Sequence, residues 1–392
     1  MLWSASPARW WLSFVAAGLI ALAAGYSYVK LAAHYNRGGG AFTFLLAVNQ
    51  RNFAGTLAWV LIVGYVLTNA VYAVTFGEYL GHVIGLGPWV PRVTGIAIIA
   101  LFILLNLRGV GVTGGVEILL VWFKVVALLG LASWGLIHWN PPALSQGVPD
   151  ASLIAALFGA ASVFMAYEGF QLLTYDYEDI DNPKRTLPRA VLSAIIVVIL
   201  IYVMVALGTT MRIGADQVIL HKEVALAIAG EKAFGTVGLV LVTIAAAFST
   251  GSAINATLFA TARLTHRVAL DGELPAAVDH HNRQGAPDRA VIGLGVIAAV
   301  LVATGSLIAL VEAASLTFLF TFAVVCTLAF RLRAGHRLIT GFGALTGALA
   351  CVALVVQLLQ SDPVALVFLG VLVLIALFGR PLLLRKLGPH QP

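Results

Sequence analysis

Residues 189–211, RAVLSAIIVVILIYVMVALGTTM, decide the fold class. After Arg189 the stretch holds no charged side chain. A helix of that length crosses a hydrocarbon layer of about 30 Å. Comparable stretches recur at 10–34, 53–81, 91–108, 115–138, 152–176, 236–264, 289–308, 310–332, 339–359 and 363–384, eleven in all. They are rich in Ala, Leu, Val, Ile and Gly and lack the sustained period-2 alternation of membrane strands. The expectation is an all-α polytopic membrane protein, with residues 1–392 forming one transmembrane domain.

Composition agrees. Of 392 residues, 60% are hydrophobic and only 10% charged, with mean hydropathy +0.98. A soluble domain carries about 25% charged residues. A chain this apolar cannot clothe a water-facing surface, so its solvent is lipid. The net charge of +6 is read as a loop bias and not as a nucleic-acid signal. Cys326 and Cys351 both lie in apolar runs and suggest neither a disulfide framework nor a metal site. His221, His266, His280 and His281 sit in loops or at helix ends, with no HExxH or Cys/His cluster. No cofactor, metal or nucleophile–base pair is expected, and so no enzyme.

The N-terminal run resembles a signal peptide only in part. Ala21-Leu22-Ala23 is a weak cleavage site, and the apolar run continues to Tyr28. Asn36–Gly40 reads as a turn, and Ala41–Gln50 as a short interfacial helix. Another short surface helix is expected at Lys222–Ile228. If the first span runs inward, seventeen basic residues from Lys30 to Lys386 share one side. Arg9, Arg92, Arg212, Lys222 and Lys232 fall on the other, with Lys124 left inside a span. The positive-inside rule then puts the C-terminus in the cytoplasm and the N-terminus outside. Trp10, Trp11, Trp89, Trp134 and Trp139 fall near outer span ends, as interfacial anchors do.

Ionisable groups inside spans cost about 2.5–3.5 kcal/mol on insertion scales, which singles out Lys124 and Glu168. Lys124 lies ~14 Å along its helix, near the midplane, where snorkelling is difficult. Glu168 sits in Ala166-Tyr167-Glu168-Gly169-Phe170. A glycine beside a polar residue in mid-span weakens the helix. A break there is tolerated only beside a cavity or other protein, where half-helix ends present partial charges to a solute. The alternative is a glutamate bonded to a neighbouring helix. A third feature is Phe248-Ser249-Thr250-Gly251-Ser252 with Asn255 and Thr257. These residues serve either an ion site or simple back-bonding and helix packing. Glu117, Tyr65 and Asn69 are weaker polar positions of the same kind.

Four stretches resemble the amino acid–polyamine–organocation superfamily of permeases. AGYSYVKLAAHYNRGGGAFTF (24–44) resembles the end of its second helix. FMAYEGFQLLTYDYEDIDNPKRTLPRA (164–190) resembles its sixth helix and following loop, and is the most specific match. STGSAINATLFATARLTHRVALDGELP (249–275) resembles its eighth helix and exit. Asn282–Arg289 resembles the entry to its ninth. The resemblance implies a leucine-transporter-type fold of inverted repeats with a midplane site. It implies substrate contact at Ala166, Tyr167, Glu168 and Gly169. It implies that Lys124 stands where sodium-coupled relatives hold an ion, beside Ser249 and Thr250. No Gly-rich first-helix motif precedes Trp10, which implies eleven spans and half a substrate site, through either a start upstream of Met1 or a shortened paralogue.

The expected function is secondary active transport of amino acids, coupled to protons or to sodium, in the cytoplasmic membrane. The alternatives are polyamine or cationic amino-acid transport, with Glu168 as counter-charge, and a transport-inactive paralogue acting as partner or sensor. The expected partners are a small amine or amino acid, the coupling ion and the lipid bilayer, and no nucleic acid.

Overall fold

A computed structural model describes residues 10–85, 87–109, 114–147, 153–283, 285–361 and 370. Every regular element among them is helical. The chain begins with α1 (Trp11–Tyr35), α2 (Gly40–Ala47), α3 (Arg51–Ile84), α4 (Val90–Leu107) and α5 (Gly114–Ile137). It continues with α6 (Leu153–Ser162), α7 (Pro183–Ile213), α8 (Ala215–His221) and α9 (Ala225–Leu270). The last described helices are α10 (Asp288–Thr304), α11 (Leu307–Leu332) and α12 (Arg337–Ser361).

Eight described helices are long and apolar enough to cross a membrane. The bent pair Ala156–Ser162 and Phe164–Thr174 makes a ninth if it forms one span. The chain is thus an all-α polytopic membrane protein, as the apolar runs imply. The run expected at 289–308 forms α10, whose 17 residues are fewer than in the other candidate spans. The run at 363–384 lies outside the described residues apart from Gly370. Helix α9 merges two helices across non-helical dihedrals at Phe234 and Gly235. Its membrane stretch therefore starts where the sequence places it. The short helix expected at Lys222–Ile228 is a 3₁₀ turn, Lys222–Val224, followed by the first turn of α9, and it is not a surface element, since Ala225 and Ala227 are buried. Helix α8 stops at His221, Lys222 takes a positive φ of 41°, and helix resumes at Ala225.

Helices divide by burial into an inner set and an outer shell. The apolar windows of α1, α3 and α11 are 61%, 72% and 67% buried, against 17% for α4, α5 and α7. The inner helices are thus mostly covered by protein, whereas most residues of the outer ones stay at least partly exposed, as lipid contact requires. The inner core is aromatic, with Tyr28, Phe170, Phe164 and Phe318 grouped around Phe322. Where α5 crosses α7, Gly135 and Gly208 let the backbones touch, since a Cβ on Gly135 would stand 2.1 Å from the Gly208 carbonyl oxygen.

Helix α2 differs from its sequence reading. Phe42 and Phe44 are fully buried, so it is a core element and not an interfacial one. Tyr35 and Tyr28 hold Phe44 by ring contacts, and Gly39 and Gly40 make the left-handed turn that folds α2 back. Trp10 is likewise buried, at 6% exposure, while Trp89 and Trp139 are exposed as interfacial anchors are.

Candidate functional site

The helix beginning at Leu153 stops at Ser162. A 3₁₀ turn covers Phe164–Tyr167 and a second covers Phe170–Thr174. Between them Glu168 is extended and Gly169 has φ +121°. A Cβ on Gly169 would meet nothing within 4 Å. Glycine is required there for its backbone conformation and not for space. Of the residues flagged from the sequence, Ala166 and Tyr167 therefore end a 3₁₀ turn, and Glu168 and Gly169 sit in unwound backbone.

Backbone groups released by such a break need partners in lipid. Helix α11 supplies some of them through one hydroxyl. Ser315 Oγ donates to the Ser162 carbonyl at 3.0 Å and accepts from the Met165 N–H at 3.0 Å. Tyr202 of α7 donates to the Ala166 carbonyl at 2.6 Å. The Gly169 N–H donates to Gln171 Oε1 at 3.0 Å. The Tyr167 hydroxyl donates to the Phe14 carbonyl at 2.7 Å, tying the segment to α1.

Glu168 is half-buried and accepts two side-chain bonds. One comes from Gln171 Nε2 at 3.2 Å and the other from Tyr72 of α3. Gln171 Nε2 also donates to Tyr65, whose hydroxyl lies 3.0 Å from that of Tyr175. Tyr65 and Tyr72 are seven residues apart and so share one face of α3. Asn69 lies between them, 2% exposed. Its amide donates to the Tyr65 carbonyl at 3.1 Å, and its buried oxygen has no hydrogen bond. The arrangement is a carboxylate set in a tyrosine–amide network beside an interrupted helix.

Lys124 is half-buried on α5. Its neighbour Phe123 meets Phe248 of α9 edge-on, at 6.3 Å between centroids. The packing thus brings α5 to α9 at the level of Ser249 and Thr250. Thr250 donates to its own helix, to the Ala246 carbonyl at 2.8 Å, and Ser252 donates to the Ser249 carbonyl at 3.0 Å. Asn255 leaves its helix and accepts from Asn106 of α4 at 2.9 Å. The side chain of Glu117 lies outside the described residues.

Glu312 escaped the sequence reading. It lies six residues into α11 and is 1% exposed. Gln357 of α12 donates to it at 3.0 Å and meets Ser162 Oγ at 2.9 Å. A lone acid in LIALVEAASLTF carries the same signal that marked Glu168. At the end of the bundle where α9 finishes, Arg263 pairs with Asp176, just past the broken segment. Arg51 pairs with buried Glu273 at 3.2 Å, joining α3 to the α9 exit.

A family model described as amino acid permease matches residues 1–381 of this chain. The chain belongs to that family. The sequence resemblance to this superfamily is thereby borne out. It is 33% identical over 267 residues to an uncharacterized protein of Methanocaldococcus jannaschii, covering 67% of this chain and 61% of that one. It is 30% identical over 329 residues to the inner membrane transport protein YbaT of Escherichia coli, covering 82% of this chain and 76% of the relative. It is 24% identical to the serine/threonine exchanger SteT of Bacillus subtilis, covering 66% and 60% respectively. The permease thus spans about three-fifths of the archaeal relative's length.

Proposed function

We propose that this permease is a secondary transporter of amino acids in the cytoplasmic membrane. Its substrate would contact Ala166, Tyr167, Glu168 and Gly169. The observation that carries the proposal is the break at Glu168–Gly169, where a carboxylate and interrupted backbone meet inside a span. Partial charges at half-helix ends beside a carboxylate suit the two charges of an amino acid. The name of the Bacillus relative, a serine/threonine exchanger, favours a neutral substrate. The C-terminus would be cytoplasmic and the N-terminus outside, by the positive-inside rule.

Lys124 would supply the coupling. An ammonium at midplane beside Ser249 and Thr250 stands in electrostatically for a bound cation. Loss and regain of its proton would then link substrate movement to a proton gradient. The test is uptake of labelled serine into liposomes, with and without an imposed pH gradient. Lys124→Gln should abolish the gradient-driven component, and unchanged pH dependence in this variant would exclude the coupling role. Glu168 also favours a second reading, since its carboxylate could face a cationic substrate. Competition by lysine or putrescine that exceeds competition by serine would select that reading.

A further inference from the structure

The other cluster with chemistry of its own lies where α9 ends. His266 sits four residues before that end. The chain then turns back through Gly272, at φ +76°, with the Gly272 and Glu273 N–H groups donating to the carbonyls of Ala269 and Val268. Arg51 fastens this return through Glu273 and the Asp271 carbonyl, at 3.2 and 2.7 Å. A 3₁₀ turn, Ala276–Asp279, brings Asp279 back against α9. There its carboxylate pairs with His266 Nδ1. His281 stands edge-on to His266, centroids 4.5 Å apart and rings at 87°.

We infer that His266, Asp279 and His281 form a site for a divalent transition metal of the zinc type. One ligand atom from each lies within 4.8 Å of the others. Tetrahedral zinc, with bonds of about 2.0–2.2 Å, needs ligands roughly 3.4 Å apart. His266 and Asp279 already meet, and exposed His281 can close the remainder by rotation. His281 Nδ1 lies 3.2 Å from the Asp279 carbonyl. Donation there fixes the tautomer that leaves Nε2 with its lone pair, the usual outer-shell arrangement of a metal-bound histidine. Two imidazoles and one carboxylate suit zinc or its first-row neighbours, not calcium or magnesium, which take oxygen ligands. Three protein ligands leave a fourth position for water. The bound ion would clamp the end of α9 to the segment that enters α10, making the permease metal-sensitive on this face.

His280 provides the internal control. It is adjacent in sequence, but its Nδ1 lies 2.7 Å from Asp288 and takes no part in the triad. The experiment uses the full chain in detergent, freed of any affinity tag and stripped with chelator. Zinc is titrated by calorimetry, and cobalt is followed by its visible absorption. One equivalent should bind, and the cobalt spectrum should be that of a four-coordinate ion. His266→Ala and His281→Ala should each weaken binding by about tenfold or more, and His280→Ala should leave it unchanged. Because His281 is exposed, its variant keeps the test open even if His266→Ala fails to fold. Absence of binding at millimolar zinc, or binding that His281→Ala leaves intact, would overturn the inference and leave His266–Asp279 as an ion pair alone.

Discussion

The bent segment that begins with α6 and the helix α9 both carry polar residues inside apolar runs, yet they satisfy most of them in opposite ways. Beyond α6 the chain unwinds at Glu168–Gly169, and its polar groups reach out to Ser315, Tyr72, Tyr202 and Tyr65. In α9 the helix runs unbroken past Ser249, and Thr250, Thr261 and Thr265 bond their own preceding turns. The difference follows from the backbone. A continuous helix satisfies its amides and offers a hydroxyl an acceptor one turn back. An interrupted helix leaves amides and carbonyls that neighbouring elements must meet. Where the backbone opens, the polar groups reach neighbouring elements; along continuous α9, Thr250, Thr261 and Thr265 bond locally, and Asn255 reaches another helix.

That contrast can be broken or sharpened by substitution. The largest effect is expected from Glu168→Gln, which keeps the shape but removes the charge accepting from Gln171 and Tyr72. Losing charged hydrogen bonds of about 1.5–3 kcal/mol corresponds to roughly a ten- to hundredfold fall in uptake, read in the liposome assay above. Uptake at the parent rate would remove Glu168 from the substrate site.

Gly169→Ala comes next. Forcing φ +121° on alanine costs about 1–3 kcal/mol, seen as a lower melting temperature in detergent. The cost arises from the backbone alone, since the added methyl group has open space. An unchanged melting temperature would mean that the segment relaxes into another conformation.

Ser315→Ala should cost about 1–2 kcal/mol by stripping the Ser162 carbonyl and Met165 N–H of their shared partner. Faster amide exchange confined to residues 162–166 is the matching signature. Thr250→Val should change stability by less than about 0.5 kcal/mol, as its hydroxyl donates only to its own helix. A larger loss, or loss of coupled uptake, would put Thr250 in an ion site and narrow the contrast between the two helices.

Much of the site was legible in the chain. Glu168 and Gly169 stand out because charge and glycine are both out of place inside an apolar run, and the break is found there. Lys124 stands out for the same reason, and its helix does meet the Ser249–Thr250 stretch through Phe123 and Phe248. Glu312 carried an equal signal. Its burial depends on Gln357 and Ser162, 45 and 150 residues away in the chain, which no local pattern announces. Helix α2 misleads because a mostly apolar stretch of eight residues has the same composition at an interface as in a core.

The sequence alone determined that this permease lives in lipid, that it is helical, and where its sixth helix breaks. Each of these follows from local chemistry: apolar runs long enough to span, backbone amides that lipid cannot satisfy, and a glycine beside a charge. Tertiary structure decided which groups answer the break and which helices are inner or outer. It also decided that His266, Asp279 and His281 converge. Those outcomes depend on how helices distant in sequence pack, and packing geometry is set by the whole bundle at once and not by any one segment.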